Sequence, residues 1–190
     1  FRPYDKKLMK KELGLSDTFI LAHIGTITPY HQMDELIHAL RRIDPSLLKK
    51  IRLIILGRGT LLEYVINIAR KLNLNKTVLY LGIKRDQKEV SKILSAADVG
   101  IITGLYSAGQ IPVKLFEYCA CGLPVIAILP QKYVKTSLLA RMIEEHKLGL
   151  VIPAEESEII KAIKIMYENK RFREEAGRRC RKFVEKNFNR

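Results

Sequence analysis

An α/β fold built on a doubly wound, six-stranded parallel sheet is the architecture this sequence predicts. Three observations lead there. Six short runs of apolar, largely β-branched residues are spread along the 190 positions. A run that is apolar throughout, rather than alternating, marks a strand covered on both faces. Between these runs, apolar residues recur every three or four positions, the spacing of an amphipathic helix. Glycines then crowd the segments after the first four runs, where the loops of such a sheet approach a ligand.

Taken in order, residues 19–25 (F-I-L-A-H-I-G) form the first strand, and a helix over 33–43 follows with Met33, Leu36, Ile37 and Leu40 on one face. Residues 51–56 form the second strand. Thr60 and Glu63 have the spacing of a capping box, which starts a helix running to about residue 72. After a short third strand at 78–81, Asp86 and Glu89 repeat that spacing for a helix ending at Ala97. The fourth strand, 99–103, leads through a Gly/Ser loop at 104–111 into a helix over 113–121. Residues 125–129 are the fifth strand, 135–145 a helix and 150–152 the sixth strand. Ser157 is placed to cap a helix reaching about residue 168, and 171–187 form the last one. Right-handed crossovers wind this order into one Rossmann-like domain over 1–190, with its crevice beyond the carboxyl ends of the strands. The sequence shows no internal linker and no repeat.

Composition narrows the class. Hydrophobic residues make up 47%, enough to fill a core, yet no run approaches the length of a membrane span. The opening Phe1-Arg2-Pro3-Tyr4-Asp5 is charged and broken by proline, unlike a signal peptide. It also reads as a start in mid-sequence, so a longer protein is expected. Three cysteines give no disulfide framework, and Cys119 and Cys121, two apart on a helix, make a poor metal pair. A cytoplasmic protein is expected. The net charge of +14 attracts polyanions, and residues 161–190 carry half of it, with eleven basic against four acidic side chains. On helices such a run is a solvated face first, and no zinc-finger, helix-turn-helix or aromatic–basic strand pattern supports a nucleic-acid partner. Peripheral contact with an anionic membrane at its inner face stays open.

Residues 112–127, P-V-K-L-F-E-Y-C-A-C-G-L-P-V-I-A, carry the most chemistry. Pro112 opens a helix and Gly122 closes it, the usual punctuation at each end. Lys114 on its first turn, beside the unpaired amides and the positive end of the helix dipole, suits an anion such as a diphosphate. One turn deeper, the Glu117 carboxylate can accept hydrogen bonds from two adjacent hydroxyls, as on a ribose. Diphosphate plus ribose means a nucleotide. Other signatures fail. Gly57-Arg58-Gly59 begins a dinucleotide fingerprint whose third glycine falls on Leu62, no Walker A loop is present, and no nucleophile–base elbow or metal-ligating pattern appears. His23 lies in a core strand, and His31 lies in the loop where it could face the ligand.

The order of motifs resembles the C-terminal, donor-binding half of retaining glycosyltransferases of the GT-B fold, the large group-1 (family four) class. The resemblance rests on His23-Ile24-Gly25-Thr26-Ile27, Ile54-Ile55-Leu56-Gly57-Arg58-Gly59, Val78-Leu79-Tyr80-Leu81-Gly82, Ala96-Ala97-Asp98-Val99 and, most specifically, residues 117–126. It implies that the chain is one half of a GT-B fold, with an N-terminal acceptor domain as its partner. It implies a hexose transferred with retention from a UDP-, GDP- or similar nucleotide sugar, used as substrate, with no cofactor and no metal. By resemblance Glu117 holds the nucleotide ribose and matches the second of two glutamates; the first falls at Gly109. Two cations usual for the diphosphate fall at Thr26 and His31, so Lys114, with Arg58 second, is expected to supply the missing charge. The predicted donor site is therefore Gly25, Thr26, Arg58, Lys84, Ile111, Pro112, Val113, Lys114 and Glu117, the base resting near Gly82 to Lys84, with no evident catalytic nucleophile. The isolated chain is expected to transfer nothing. The P-x-K-L-F-E-Y pattern resembles that of a subset of the family often found in surface-polysaccharide assembly, and the resemblance implies such a link. Two other readings stand beside this: a nucleotide-sugar epimerase on the same fold, and a non-enzymatic basic module for nucleic acid or anionic lipid.

Overall fold

In the computed structural model, which describes residues 1–104 and 107–188, six parallel strands form one sheet in the order β3-β2-β1-β4-β5-β6. The elements in chain order are α1 (Lys6–Glu12), β1 (Phe19–Thr26), a 3₁₀ turn (Pro29–His31), α2 (Met33–Arg42), α3 (Pro45–Leu48), β2 (Ile51–Arg58) and α4 (Leu62–Lys71). There follow β3 (Val78–Tyr80), α5 (Gln87–Ala96), β4 (Val99–Thr103), α6 (Val113–Ala120), β5 (Val125–Leu129) and α7 (Gln131–Val134). The chain continues with α8 (Leu138–Glu145), β6 (Gly149–Pro153), α9 (Glu156–Glu168) and α10 (Lys170–Phe188). The expected six-stranded parallel sheet, covered on both faces, is the one observed.

Strand parity divides the core. Ile20, Ala22, Ile24, Ile54 and Leu56 join Leu115, Tyr118 and Cys119 of α6 and Cys180 of α10 on one face. Phe19, Leu21, Leu53 and Ile55 join Leu36, Ile37 and Leu40 of α2 and Ile159 and Ile163 of α9 on the other. Successive strand residues point to opposite faces, so each strand must be apolar throughout.

The helix starts depart from expectation in several places. Thr60 and Glu63 form no capping box: α4 begins at Leu62, because Leu62 N–H bonds Gly59 O and Leu61 N–H bonds Ile27 O in a tight turn. Ser157 is no cap either, since α9 begins one residue earlier, after Glu155. The helix expected over 135–145 is α8, which starts three residues later, at Leu138, because Ser137 caps it with its hydroxyl accepting from Ala140 N–H at 3.1 Å; the short α7 before it is not among the expected elements. Asp86 does cap α5, but Glu89 turns to Lys84 instead of closing the box. Helix α1, unexpected from a lysine-rich segment with one buried residue, is held by Asp5 at its N-cap and by Lys6 and Lys10 reaching the buried Asp98. Among the described residues no helix is long and apolar enough to cross a membrane.

Candidate functional site

The sheet order reverses direction between β1 and β4, and in an open parallel sheet this is where the strand ends part and leave a crevice. Here β1 and β4 pair only at Leu21 with Val99 and at Ala22 with Gly100. Past that register they splay, and one side chain fills the wedge. The Tyr118 hydroxyl accepts from Ile24 N–H at 3.0 Å and stands 3.1 Å from both Ala22 O and Ile101 O. Its ring lies so close over Gly100 that a Cβ there would be 2.6 Å from it. Tyr118 thus satisfies backbone groups that the splayed strands leave unpaired, and it ties α6 to the switch point.

With α6 fixed in this way, its first turn reaches the end of β1. Pro112 stands at the N-cap rather than inside the helix, and no side chain caps the first amides. Such open amides carry the positive end of the helix dipole. Lys114 lies across Gly25, with Nζ 3.6 Å from where a Cβ on that glycine would be, and Gly25 adopts a φ of 104°. The ammonium is buried and has no hydrogen-bond partner among the described residues. Burial pulls its pKa down to about 8, against the opposing pull of Glu117.

One turn on, Glu117 borders an open cavity of about 210 Å³ together with Leu56, Gly57, Ile83, Lys84 and Arg85. Burial raises its carboxyl above the usual range, offset in part by Lys114. Ile24 and Leu56 give the cavity an apolar floor, and Lys84, in a 2.7 Å ion pair with Glu89, stands at its side. The result is a partly apolar cavity lined by a carboxylate, with a buried cation one turn back on the same helix. That layout fits a nucleoside followed by a diphosphate.

The nine expected site residues are not all alike. Gly25, Lys114 and Glu117 gather at the switch point, and Lys84 lines the cavity. Ile111 packs on the core beside Pro112, whereas Val113 points outward, 70% exposed. Thr26 and Arg58 are neighbours in the β1–β2 register, both exposed at the strand ends, and Arg58 does not line the cavity. Part of the 104–111 loop, residues 105–106, lies outside the described residues. Gly109 is exposed, with nothing within 4 Å of an added Cβ, so the loop has room for a larger side chain at that position. Gly57 in β2 and Gly59 just after it also let two chain segments come together: a Cβ on Gly57 would stand 1.9 Å from Gly25 O, and one on Gly59 1.9 Å from Ile27 O.

Sequence reasoning missed Tyr118, whose role appears only once the splay of β1 and β4 is known. It also left His23 as core. His23 is fully buried, and its ring centroid lies 6.5 Å from that of His31. Burial, then Lys114 and His31, hold its pKa well below the ordinary value. Burial and Lys114 lower His31 as well.

A family model described as "Glycosyl transferases group 1" matches residues 5–183. A chitobiosyldiphosphodolichol beta-mannosyltransferase of Debaryomyces hansenii is 30% identical over 120 residues, covering 60% of this chain and 25% of the relative. Among solved structures, WaaG, a glycosyltransferase involved in lipopolysaccharide biosynthesis, superposes with a TM-score of 0.81 at 18% identity, over 99% of this chain and 48% of WaaG. The C-terminal domain of LpcC, a glycosyl transferase group 1 protein from Francisella tularensis, superposes at 0.80 with 15% identity, over 100% of this chain and 96% of that domain. Anabaena HepE in complex with UDP superposes at 0.78 with 18% identity, over 98% of this chain and 52% of HepE. The chain therefore spans a quarter of the curated relative and about half of WaaG and HepE.

Proposed function

The chain belongs to the group 1 glycosyl transferases, and from that premise we propose that it is the donor-binding half of an enzyme that transfers a hexose from a nucleoside-diphosphate sugar with retention. The observation that carries this reading is the spacing on α6: the Lys114 ammonium buried over Gly25 with no hydrogen-bond partner among the described residues, and Glu117 one turn deeper lining the cavity. The ribose hydroxyls donate to Glu117, the base lies over Ile83 and Lys84, and the diphosphate meets Lys114 and the open amides of α6. Thr26 and Arg58, at the exposed ends of β1 and β2, flank the outer phosphate.

The chemistry follows from charge. When the bond from sugar C1 to the diphosphate oxygen breaks, its electron pair leaves on that oxygen, and the sugar acquires oxocarbenium character. Donors already in place for the developing charge are the largest lever on such a barrier. The α6 terminus offers roughly half a unit of positive charge and Lys114 a full one when protonated. Retention places the acceptor hydroxyl on the face from which the diphosphate leaves, where the leaving oxygen can take its proton. The acceptor is held by an N-terminal domain, the partner of this half. The solved complex of HepE with UDP and the match to the LpcC domain support the reading. Any contact with an anionic membrane would start at the end of α10, where Arg179, Lys182 and Lys186 surround Phe183; sedimentation with anionic vesicles tests it.

Calorimetric titration of the chain with UDP, GDP and ADP tests the proposal. One of them binds, Glu117→Ala weakens it by about ten- to 100-fold, as expected for hydrogen bonds to a charged acceptor, and no sugar is transferred by this chain alone. Failure of every nucleotide to bind, or equal binding by Glu117→Ala, would refute the reading.

A further inference from the structure

An ammonium removed from water with no acceptor is among the most expensive arrangements in a protein interior, and losing the proton is the usual relief. Lys114 is in that position. Its Nζ is buried, and among the described residues it makes no hydrogen bond. The titratable groups around it do not compensate. From β1 comes His23, fully buried, and from the turn after β1 comes His31. On α6 itself, Glu117 attracts the ammonium but borders the cavity instead of bonding to it. Lys84 and Arg85, from the segment after β3, line the far side of that cavity and add only positive charge.

Burial holds His23 neutral, and His31 is held neutral by geometry as well. Thr28 N–H donates to His31 Nδ1 at 3.0 Å. A ring nitrogen that accepts from an amide carries no proton, so the His31 proton sits on Nε2 and the ring is uncharged. Lys114, lowered to about 8, has a charge that can still change near neutral pH.

We infer that binding of a nucleoside diphosphate draws a proton onto Lys114, so that occupancy of the donor site is coupled to proton uptake from solvent. The inference rests on the donor-site reading above and adds to it the protonation state of its cation. An anion laid against Nζ supplies the missing acceptors and an opposite charge, which together reverse the cause of the proton's loss. The empty site is kept partly uncharged, and the filled one is fully charged. No bond is made or broken beyond the proton transfer from buffer to the lysine nitrogen.

The test is calorimetry at pH 8 in two buffers of different ionisation enthalpy, HEPES and Tris, with UDP and with uridine as the probes. At this pH the terminal phosphate is fully ionised, its last pKa being about 6, so any proton taken up goes to the protein. With Lys114 near pH 8 half-protonated when empty, the expected uptake is about half a proton per UDP and none per uridine. Lys114→Met should abolish the buffer dependence while uridine binding persists. Should UDP bind with equal apparent enthalpy in both buffers after correction for uridine, the coupling is wrong and the donor site stands. Should neither UDP nor uridine bind, the donor site itself is wrong and the coupling falls with it.

Discussion

Two buried charges sit at opposite ends of the same sheet. Asp98, at the amino end of β4, accepts from Lys10 at 2.6 Å, from Lys6 at 3.2 Å and from Ile20 N–H at 2.9 Å. Burial pushes its carboxyl up, but the two lysines and the amide outweigh that, and the net pKa falls below the ordinary value. Lys114, at the carboxyl end of β1, has none of this: its Nζ is buried and has no hydrogen-bond partner among the described residues. On the function proposed here, the difference separates a structural charge from a ligand-binding one. A carboxylate with both oxygens hydrogen-bonded is finished by the fold, and here it pins α1 and the start of β4 together. A cation left without acceptors is finished by something the chain does not contain.

The contrast can be broken in four places, from the strongest effect to the weakest. Asp98→Ala removes the common partner of two lysines and should lower stability by about 3 kcal/mol. In a chain of this length that is a fall of roughly 6–12 °C in Tm, with the UDP affinity of the folded protein unchanged within about twofold. A loss of affinity comparable to the loss of stability would mean that the two ends are not independent. Lys114→Met should do the reverse. UDP binding weakens by about 100-fold, near 2.7 kcal/mol, while urea unfolding of the empty protein shows equal or greater stability, since a buried unpaired charge has gone.

Tyr118→Phe leaves Ile24 N–H without its acceptor and should cost about 2 kcal/mol in urea unfolding. Because Tyr118 seats α6 rather than touching ligand, UDP affinity should fall only by roughly threefold. The smallest effect lies in pH. The folded protein holds Lys114 near 8, against 10.5 ordinarily. Between those values the unfolded chain binds more protons than the fold, so the contribution to stability grows as pH rises and is lost as pH falls through about 8. Wild type should therefore gain roughly 1 kcal/mol on Lys114→Met between pH 7 and pH 9, read as the difference between their unfolding curves.

Much of this was legible in the residues because it rests on periodicity and punctuation. Six apolar runs and the helices between them give the sheet, and Pro112, Lys114, Glu117 and Gly122 give a helix whose start and charges are in sequence order. What stayed hidden depends on contacts between distant segments. Thr60 and Ser157 carry good capping chemistry, but tight turns at Gly59 and Pro153 set the helix starts first. Gly57 and Gly59 look like ligand glycines, and only the register with Gly25 and Ile27 shows that they make room for a neighbouring strand. Tyr118 is one more aromatic on an apolar helix face until the splay between β1 and β4 gives its hydroxyl three backbone groups to serve. Arg58, the second candidate by charge, ends exposed beside Thr26 at the strand ends, outside the lining of the cavity.

A crystal structure of the chain grown with UDP is the most direct test of the central claim. The account predicts the diphosphate against Lys114 Nζ and the first amides of α6, at charge-assisted hydrogen-bond distance of about 2.7–2.9 Å, with the ribose hydroxyls on Glu117. A nucleotide bound elsewhere on the sheet edge, with Lys114 still buried and unpaired, would contradict it.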